Sequence, residues 1–386
     1  MVDLLNERGA GHIRVFGGGG GTITPDEIRE LEAYGVERIY HPDDGMHMGL
    51  VEMIEDVVER AAQHRVDTSL PGQLEPGDPA GIAHMVSALE DEVFSAAELE
   101  LKRREWHGRA PQAPVLGITG TGGAGKSSVT DELLNRFGQC FPDMNIAVLA
   151  VDPTRRRTGG ALLGDRIRMN SLRNPNLYMR SMATRRQHLA TSAILQDAIA
   201  FLRSTGFDLV IIETAGIGQS DSEIVDMVDF PVYVMTSDFG AQSQLEKIDM
   251  LDFAELVVLN KYDKRAAEDA LRDVRKQWKR NHEAFHADDE DVPVYPTIAS
   301  QFNDPGVTWM FVNLCRLLRE KLDLPAADWT PEIDTTVREP RATVLIPPQR
   351  TRYLAEIAEQ GRAINGGIAE QADAASRAQN YYESLK

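Results

Sequence analysis

The eight residues Gly120-Thr121-Gly122-Gly123-Ala124-Gly125-Lys126-Ser127 constrain this chain more than any other segment. They have the form GxxxxGK[ST], follow an apolar run at 115–119 and precede a helical pattern. Glycines so placed let the backbone curl until successive N–H groups face one concavity, and the helix that follows adds the positive end of its dipole. Such a concavity takes phosphate. Lys126 supplies charge for terminal phosphates and the Ser127 hydroxyl suits a magnesium ion. Gly122, Gly123, Ala124, Gly125 and Ser128 complete the expected phosphate-side set. A loop of this kind sits between a strand and a helix, and it predicts an α/β fold built on a mainly parallel sheet.

Three further segments end apolar runs. Asp152 closes one, where a carboxylate reaches a metal directly or through water, with Val151 beside it. Glu213-Thr214-Ala215-Gly216 closes the next, a second acidic position for magnesium, with Glu213 and Thr214 as its candidates. Asn260-Lys261-Tyr262-Asp263 closes a later one and matches NKxD. A carboxylate at Asp263 accepts two hydrogen bonds, from guanine N1–H and the 2-amino group, a donor pair that adenine lacks. Functional groups collected at the carboxyl ends of parallel strands are the rule for open α/β sheets.

Between Asp152 and Glu213 lies the basic, glycine-hinged stretch 155–168. It reads as a switch loop, with Asp165 toward the metal and Arg168 toward phosphate, or alternatively as a solvated charged face. Gln219 is placed to orient an attacking water, or is a polar loop residue. Lys126, Glu213 and Gln219 are the expected catalytic groups.

The rest of the chain bounds this reading. Of 386 residues, 60 are acidic and 41 basic, a net charge of -19 that disfavours nucleic acid and anionic membranes as partners. Two cysteines, Cys140 and Cys315, give no disulfide framework and suit a reducing compartment, so the cytoplasm is expected. Strands are predicted at 115–119, 145–151, 207–213, 231–236, 255–259 and 292–298. Residues 12–16 and 36–40 predict two more. A helix between them is capped by Thr24 with Pro25 at its first position and Glu27 closing a capping box, and it ends at Gly35. Residues 48–63 predict another helix and 80–106 a single long one. The expected divisions are 1–64, a linker and helix at 65–114, a nucleotide domain at 115–322, and an extended then helical tail at 323–386.

These residues resemble the G-protein chaperones of cobalamin-dependent acyl-CoA mutases. The resemblance rests on Gly-Gly-Ala-Gly-Lys-Ser, on Val151-Asp152-Pro153 with the Arg-Arg-Thr-Gly-Gly that follows, and on Glu213-Thr-Ala-Gly-Ile-Gly-Gln-Ser. The glycine run after Val15-Phe16, with Gly17, Gly18 and Gly19, is similar to the element of a flavodoxin-like cobalamin domain that packs on the cofactor's nucleotide tail. Cobalamin domain followed by G domain is the order of the fused isobutyryl-CoA mutases. The resemblance implies GTP and magnesium as ligands and adenosylcobalamin in a full-length protein. It also implies an acyl-CoA mutase domain and a cob(I)alamin adenosyltransferase as partners, and a homodimer. The sequence departs from such domains in lacking DxHxxG, so only the C-terminal half of a cobalamin domain is expected at 1–64, in an internal fragment that binds cobalamin weakly. Two rivals are a metal-inserting GTPase, which would need clustered Cys and His ligands, and an interaction module that binds GTP without turnover.

Overall fold

The computed structural model describes every residue except 9, 19–21, 64–73, 110–111, 154–168, 185–187, 215–220, 240–244, 247, 341–352 and 386. Its contacts divide the chain into two units, Met1–Leu74 and Glu75–Lys386.

In the first unit, helix α1 (Val2–Glu7) precedes strand β1 (Phe16–Gly18), helix α2 (Pro25–Tyr34), strand β2 (Arg38–Tyr40) and helix α3 (Pro42–Gln63). The two strands pair in parallel, Phe16 opposite Arg38 and Gly18 opposite Tyr40. The capping box at α2 forms as its sequence dictates. Thr24 accepts from the Glu27 N–H, the Glu27 carboxylate accepts from the Thr24 N–H, and Gly35 ends the helix at φ 119°. β1 starts later than the expected 12–16 and runs into the glycines. α3 breaks at Gly49, which sits at φ 72° and ψ 168°, close to the expected start of a helix at residue 48. Within the strands burial is confined to Ile39 and Tyr40, and Leu50, Val51, Ile54 and Val58 of α3 are exposed. A two-stranded sheet has too little surface to cover an apolar helix face.

The second unit begins with helices α4 (Pro79–Glu90) and α5 (Ala96–Gly108). Here the expected single helix over 80–106 is corrected. Glu92 takes φ 51°, and Ser95 starts α5 with its own capping box to Glu98. The mixed charge of this stretch hides the break, because a solvated helix and a polar turn share a composition.

Strands β3 (Val115–Gly120), β4 (Ile146–Pro153), β5 (Leu177–Thr184), β6 (Leu209–Thr214), β7 (Phe230–Thr236), β8 (Leu256–Asn260) and β9 (Val294–Thr297) form one sheet in the order β5-β4-β6-β3-β7-β8-β9. Every pairing is parallel. β3, β7 and β8 are buried at every position, as a sheet covered on both faces requires. Among the helices between the strands are α6 (Lys126–Cys140), α7 (His188–Arg203), α8 (Met250–Phe253) and α9 (Ala267–Asn281), and after β9 come α10 (Pro305–Leu322), α11 (Ala326–Trp329) and α12 (Tyr353–Leu385). Leu133 and Phe137 of α6 share a core with Phe311 and Leu314 of α10 and the inward residues of β3, β6, β7 and β8; the rings of Phe137 and Phe311 meet edge-on at 4.9 Å.

The strand absent from the expectations is β5. It pairs with β4 from Ile146–Leu177 to Pro153–Thr184, at the sheet's edge. Its polar residues interrupt the apolar signal. Arg180 donates to Ser87 Oγ at 3.0 Å and to the Ala83 carbonyl at 3.3 Å, and pairs with Glu90 of α4. Among the described residues no helix is long and apolar enough to cross a membrane.

Candidate nucleotide site

β3 leads into the turn at 121–125, and α6 begins at Lys126. The geometry demands glycine at two points. Gly120 takes φ 146°, and a Cβ there would lie 1.9 Å from the Val234 carbonyl oxygen of β7. Gly125 takes φ 90° at the N-cap of α6, and a Cβ there would lie 2.5 Å from Asn260 Nδ2. Gly122, Gly123 and Ser128 are exposed while Ala124 is buried, so the loop stands on an apolar footing. The buried Lys126 ammonium donates back to the carbonyls of Gly120 at 3.0 Å and Thr121 at 3.2 Å.

On the next strand, β6, Glu213 is buried. Its carboxylate accepts the Ser127 hydroxyl at 2.6 Å and the Thr130 hydroxyl at 3.0 Å, both from the first turns of α6. Thr130, which also lies 3.1 Å from the Lys126 carbonyl, was not among the expected residues. A threonine inside a helix carries no sequence signal for this role. Thr214 donates to Thr119 Oγ1 at 2.8 Å, tying the carboxyl ends of β6 and β3. Val151 of β4 stands opposite Thr214 in the ladder, and Asp152 follows it opposite Ala183. The side chain of Asp152 lies outside the described part of the structure, as do Asp165, Arg168, Gln219 and Gly19.

Asn260 ends β8 and does the joining. Its Nδ2 donates to the Ala124 carbonyl at 2.8 Å, and its Oδ1 accepts from Thr297 Oγ1 at 3.1 Å and from the Ala299 N–H at 3.0 Å. Lys261 takes φ 59° and donates to the Gly123 carbonyl at 2.7 Å. The Tyr262 N–H donates to the Thr297 carbonyl at 3.1 Å, and burial pushes the Tyr262 phenol above its ordinary value. Asp263 is exposed, its carboxylate with no hydrogen-bond partner among the described residues. The structure thus gathers Lys126, Ser127, Glu213, Asn260 and Lys261 at the carboxyl ends of the inner strands β6, β3 and β8. It adds Thr297, which ends β9, and Ala299, just beyond it, neither with a motif of its own.

Gly17 and Gly18 belong to the first unit. A Cβ on Gly17 would meet Ile39 at an ordinary 3.7 Å and one on Gly18 would meet nothing within 4 Å, so packing in that unit does not itself demand glycine there.

The model of the methylmalonyl Co-A mutase-associated GTPase MeaB family matches residues 83–338. The chain is 48% identical to the fused isobutyryl-CoA mutase of Geobacillus kaustophilus, 49% to that of Cupriavidus metallidurans and 46% to that of Nocardia farcinica, each over 98% of its length. It spans 35% of the length of each of these relatives. The family match runs through every strand of the seven-stranded sheet and through both the phosphate loop and NKxD, and the chain belongs to the methylmalonyl Co-A mutase-associated GTPase MeaB family.

Proposed function

We propose that this chain is the GTP-hydrolysing chaperone segment of a fused adenosylcobalamin-dependent acyl-CoA mutase, of the type that interconverts isobutyryl-CoA and n-butyryl-CoA. Its nucleotide turnover gates loading of the cofactor and protects the loaded enzyme. The carrying observation is the 2.8 Å bond from Asn260 to the Ala124 carbonyl, which fixes the base-reading motif to the phosphate loop. One nucleotide then spans both. In this reading the backbone of 122–128 and Lys126 hold the phosphates, Arg168 adds charge, and Asn260, Lys261, Tyr262 and Asp263 take the base. Gln219 orients the attacking water.

Magnesium prefers hard oxygen donors, and the Ser127 hydroxyl against a buried Glu213 carboxylate is a donor pair of that chemistry. We assign Ser127 to hold it, with Asp152, Asp165 and Glu213 as direct or water-mediated partners and Val151 and Thr214 beside them. When bound, the ion neutralises charge on the terminal phosphates. Gly17, Gly18 and Gly19 are assigned to a partial cobalamin site. A mutase domain, which performs the isomerisation, and a cob(I)alamin adenosyltransferase are the partners, in a homodimer in the cytoplasm. The metal-inserting alternative is not favoured by the family to which the chain belongs.

Phosphate release from GTP, titrated with magnesium in the presence and absence of the mutase domain, tests this reading. Magnesium-dependent release that changes with the mutase domain is expected. GTP binding without release under either condition would instead make the chain an interaction module.

A further inference from the structure

We propose that Arg136 and Asp304 are positioning residues for base recognition, clamping the loop 298–304 so that Ala299 is held beside Asn260. The proposal rests on the guanine reading above.

Arg136 lies near the far end of α6, the helix that begins at the phosphate loop, and is 3% exposed. Its Nη2 donates to the Asp304 carbonyl at 3.0 Å and its Nε to Thr308 Oγ1 at 3.1 Å. Its Nη1 donates to the Glu132 carboxylate at 2.6 Å and to the Glu132 carbonyl at 2.9 Å, which fixes the guanidinium plane. Thr308 in turn donates to the Asp304 carbonyl at 3.1 Å.

Asp304 works in two directions. One carboxylate oxygen, Oδ2, caps α10 by accepting from the Val307 N–H at 2.9 Å, and also reaches back to the Ile298 N–H at 3.1 Å. A single atom therefore closes both ends of the loop. The chain leaves Ile298 directly into Ala299, whose N–H meets Asn260 Oδ1, and Asn260 returns to Ala124. A ring of contacts results: phosphate loop, α6, Arg136, Asp304, Ile298, Ala299, Asn260, phosphate loop. Behind it α10 is pressed on β9 so closely that a Cβ on Gly306 would lie 2.2 Å from the Pro296 carbonyl oxygen.

The phosphates need no residue of 298–304, whereas the base side does. A loosened clamp should therefore weaken guanine binding while sparing what the phosphate loop contributes on its own. A residue that served stability alone would weaken all nucleotides together.

The test is equilibrium binding of GTP and ATP to the whole chain, with thermal melting as the fold control, for wild type, Arg136→Lys, Thr308→Val and Asp304→Asn. Lysine keeps the charge and loses the fork. Valine removes one link of the clamp and leaves the helix cap, so it decides the matter if Arg136→Lys does not fold. For both variants the GTP affinity should fall about tenfold while that for ATP stays within about twofold. Asp304→Asn, which keeps an oxygen for the two N–H groups, should retain the wild-type ratio. An unchanged GTP-to-ATP ratio in folded Arg136→Lys or Thr308→Val overturns the proposal, as does an equal fall for both nucleotides in either. A wild type that binds ATP as well as GTP overturns the guanine reading first, and the proposal with it.

Discussion

Ser127 and Glu213, 86 residues apart, are joined by a 2.6 Å hydrogen bond in which the serine hydroxyl donates to a buried carboxylate. Thr130 holds the other oxygen at 3.0 Å. The carboxylate is thereby aimed along the first turns of α6, beside the turn that begins the phosphate loop's helix. Glu213→Gln keeps the shape and removes the charge. Outer partners of a metal site typically contribute about 10–100-fold, so GTP turnover should fall within that range and the magnesium midpoint should rise. Turnover and a magnesium titration that match wild type would show that Glu213 has no part in holding the ion.

Gly125 sits at φ 90° with Asn260 Nδ2 where a Cβ would have to go. Gly125→Ala therefore strains the backbone and pushes away the side chain that bonds Ala124. Phosphate loop and base motif should uncouple, and binding of GTP and of ATP should both weaken by at least about tenfold. Circular dichroism should show the fold intact, because the strain is confined to one turn. Wild-type affinity for both nucleotides in this variant would count against the site.

Burial pushes the Asp304 carboxyl above its ordinary value, against the lowering pull of the Ile298 and Val307 N–H groups and the Arg136 charge. The folded chain thus takes up a proton at Asp304 more readily than the unfolded chain does. The stability this brings is fully present below the unfolded value and is lost as pH rises through the folded one. Asp304→Asn has nothing to titrate there. Wild-type melting temperature should gain on that of the variant as pH falls from neutrality toward the ordinary carboxylate value of about 3.9. A difference that is flat across this range, or that moves in the variant's favour, would contradict the direction of the shift.

What the sequence disclosed and what it hid differ in range. The phosphate loop, NKxD and the capping box of Thr24 and Glu27 are local, set by residues a few positions apart, and the structure forms the box as read. Apolar runs likewise announced the strands that are buried on both faces. β5 escaped because an edge strand with Arg180 facing α4 is not an apolar run. The partnership of Asn260 with Thr297 and Ala299, and of Arg136 with Asp304, escaped because each joins residues brought together only when the sheet is complete. Family resemblance supplied the class of protein, and the packing supplied the clamp.

The base itself offers the sharpest test. The Asn260 side-chain oxygen already accepts from Thr297 and Ala299 while its Nδ2 donates to Ala124, so it braces the site, whereas Asp263, three residues on, is exposed with its carboxylate unbonded among the described residues. Of the two motif residues with side-chain oxygens at positions one and four, Asp263 is therefore the one left to read the base. A carboxylate accepts twice, matching guanine N1–H and its 2-amino group. Asp263→Asn replaces one acceptor with a donor, which opposes the 2-amino group of guanine and suits the 2-oxo group of xanthine. Sites built for such hydrogen bonds discriminate strongly, because the wrong partner leaves buried polar groups unpaired, and losses of about 1–3 kcal/mol per group are usual. Wild type should prefer GTP over XTP and ATP, and Asp263→Asn should gain XTP affinity as it loses GTP. Equilibrium titration of the three nucleotides against both proteins decides it. If Asp263→Asn retains the wild-type order of affinities, Asp263 does not read the base, and the preference must be sought in the backbone around Ala299.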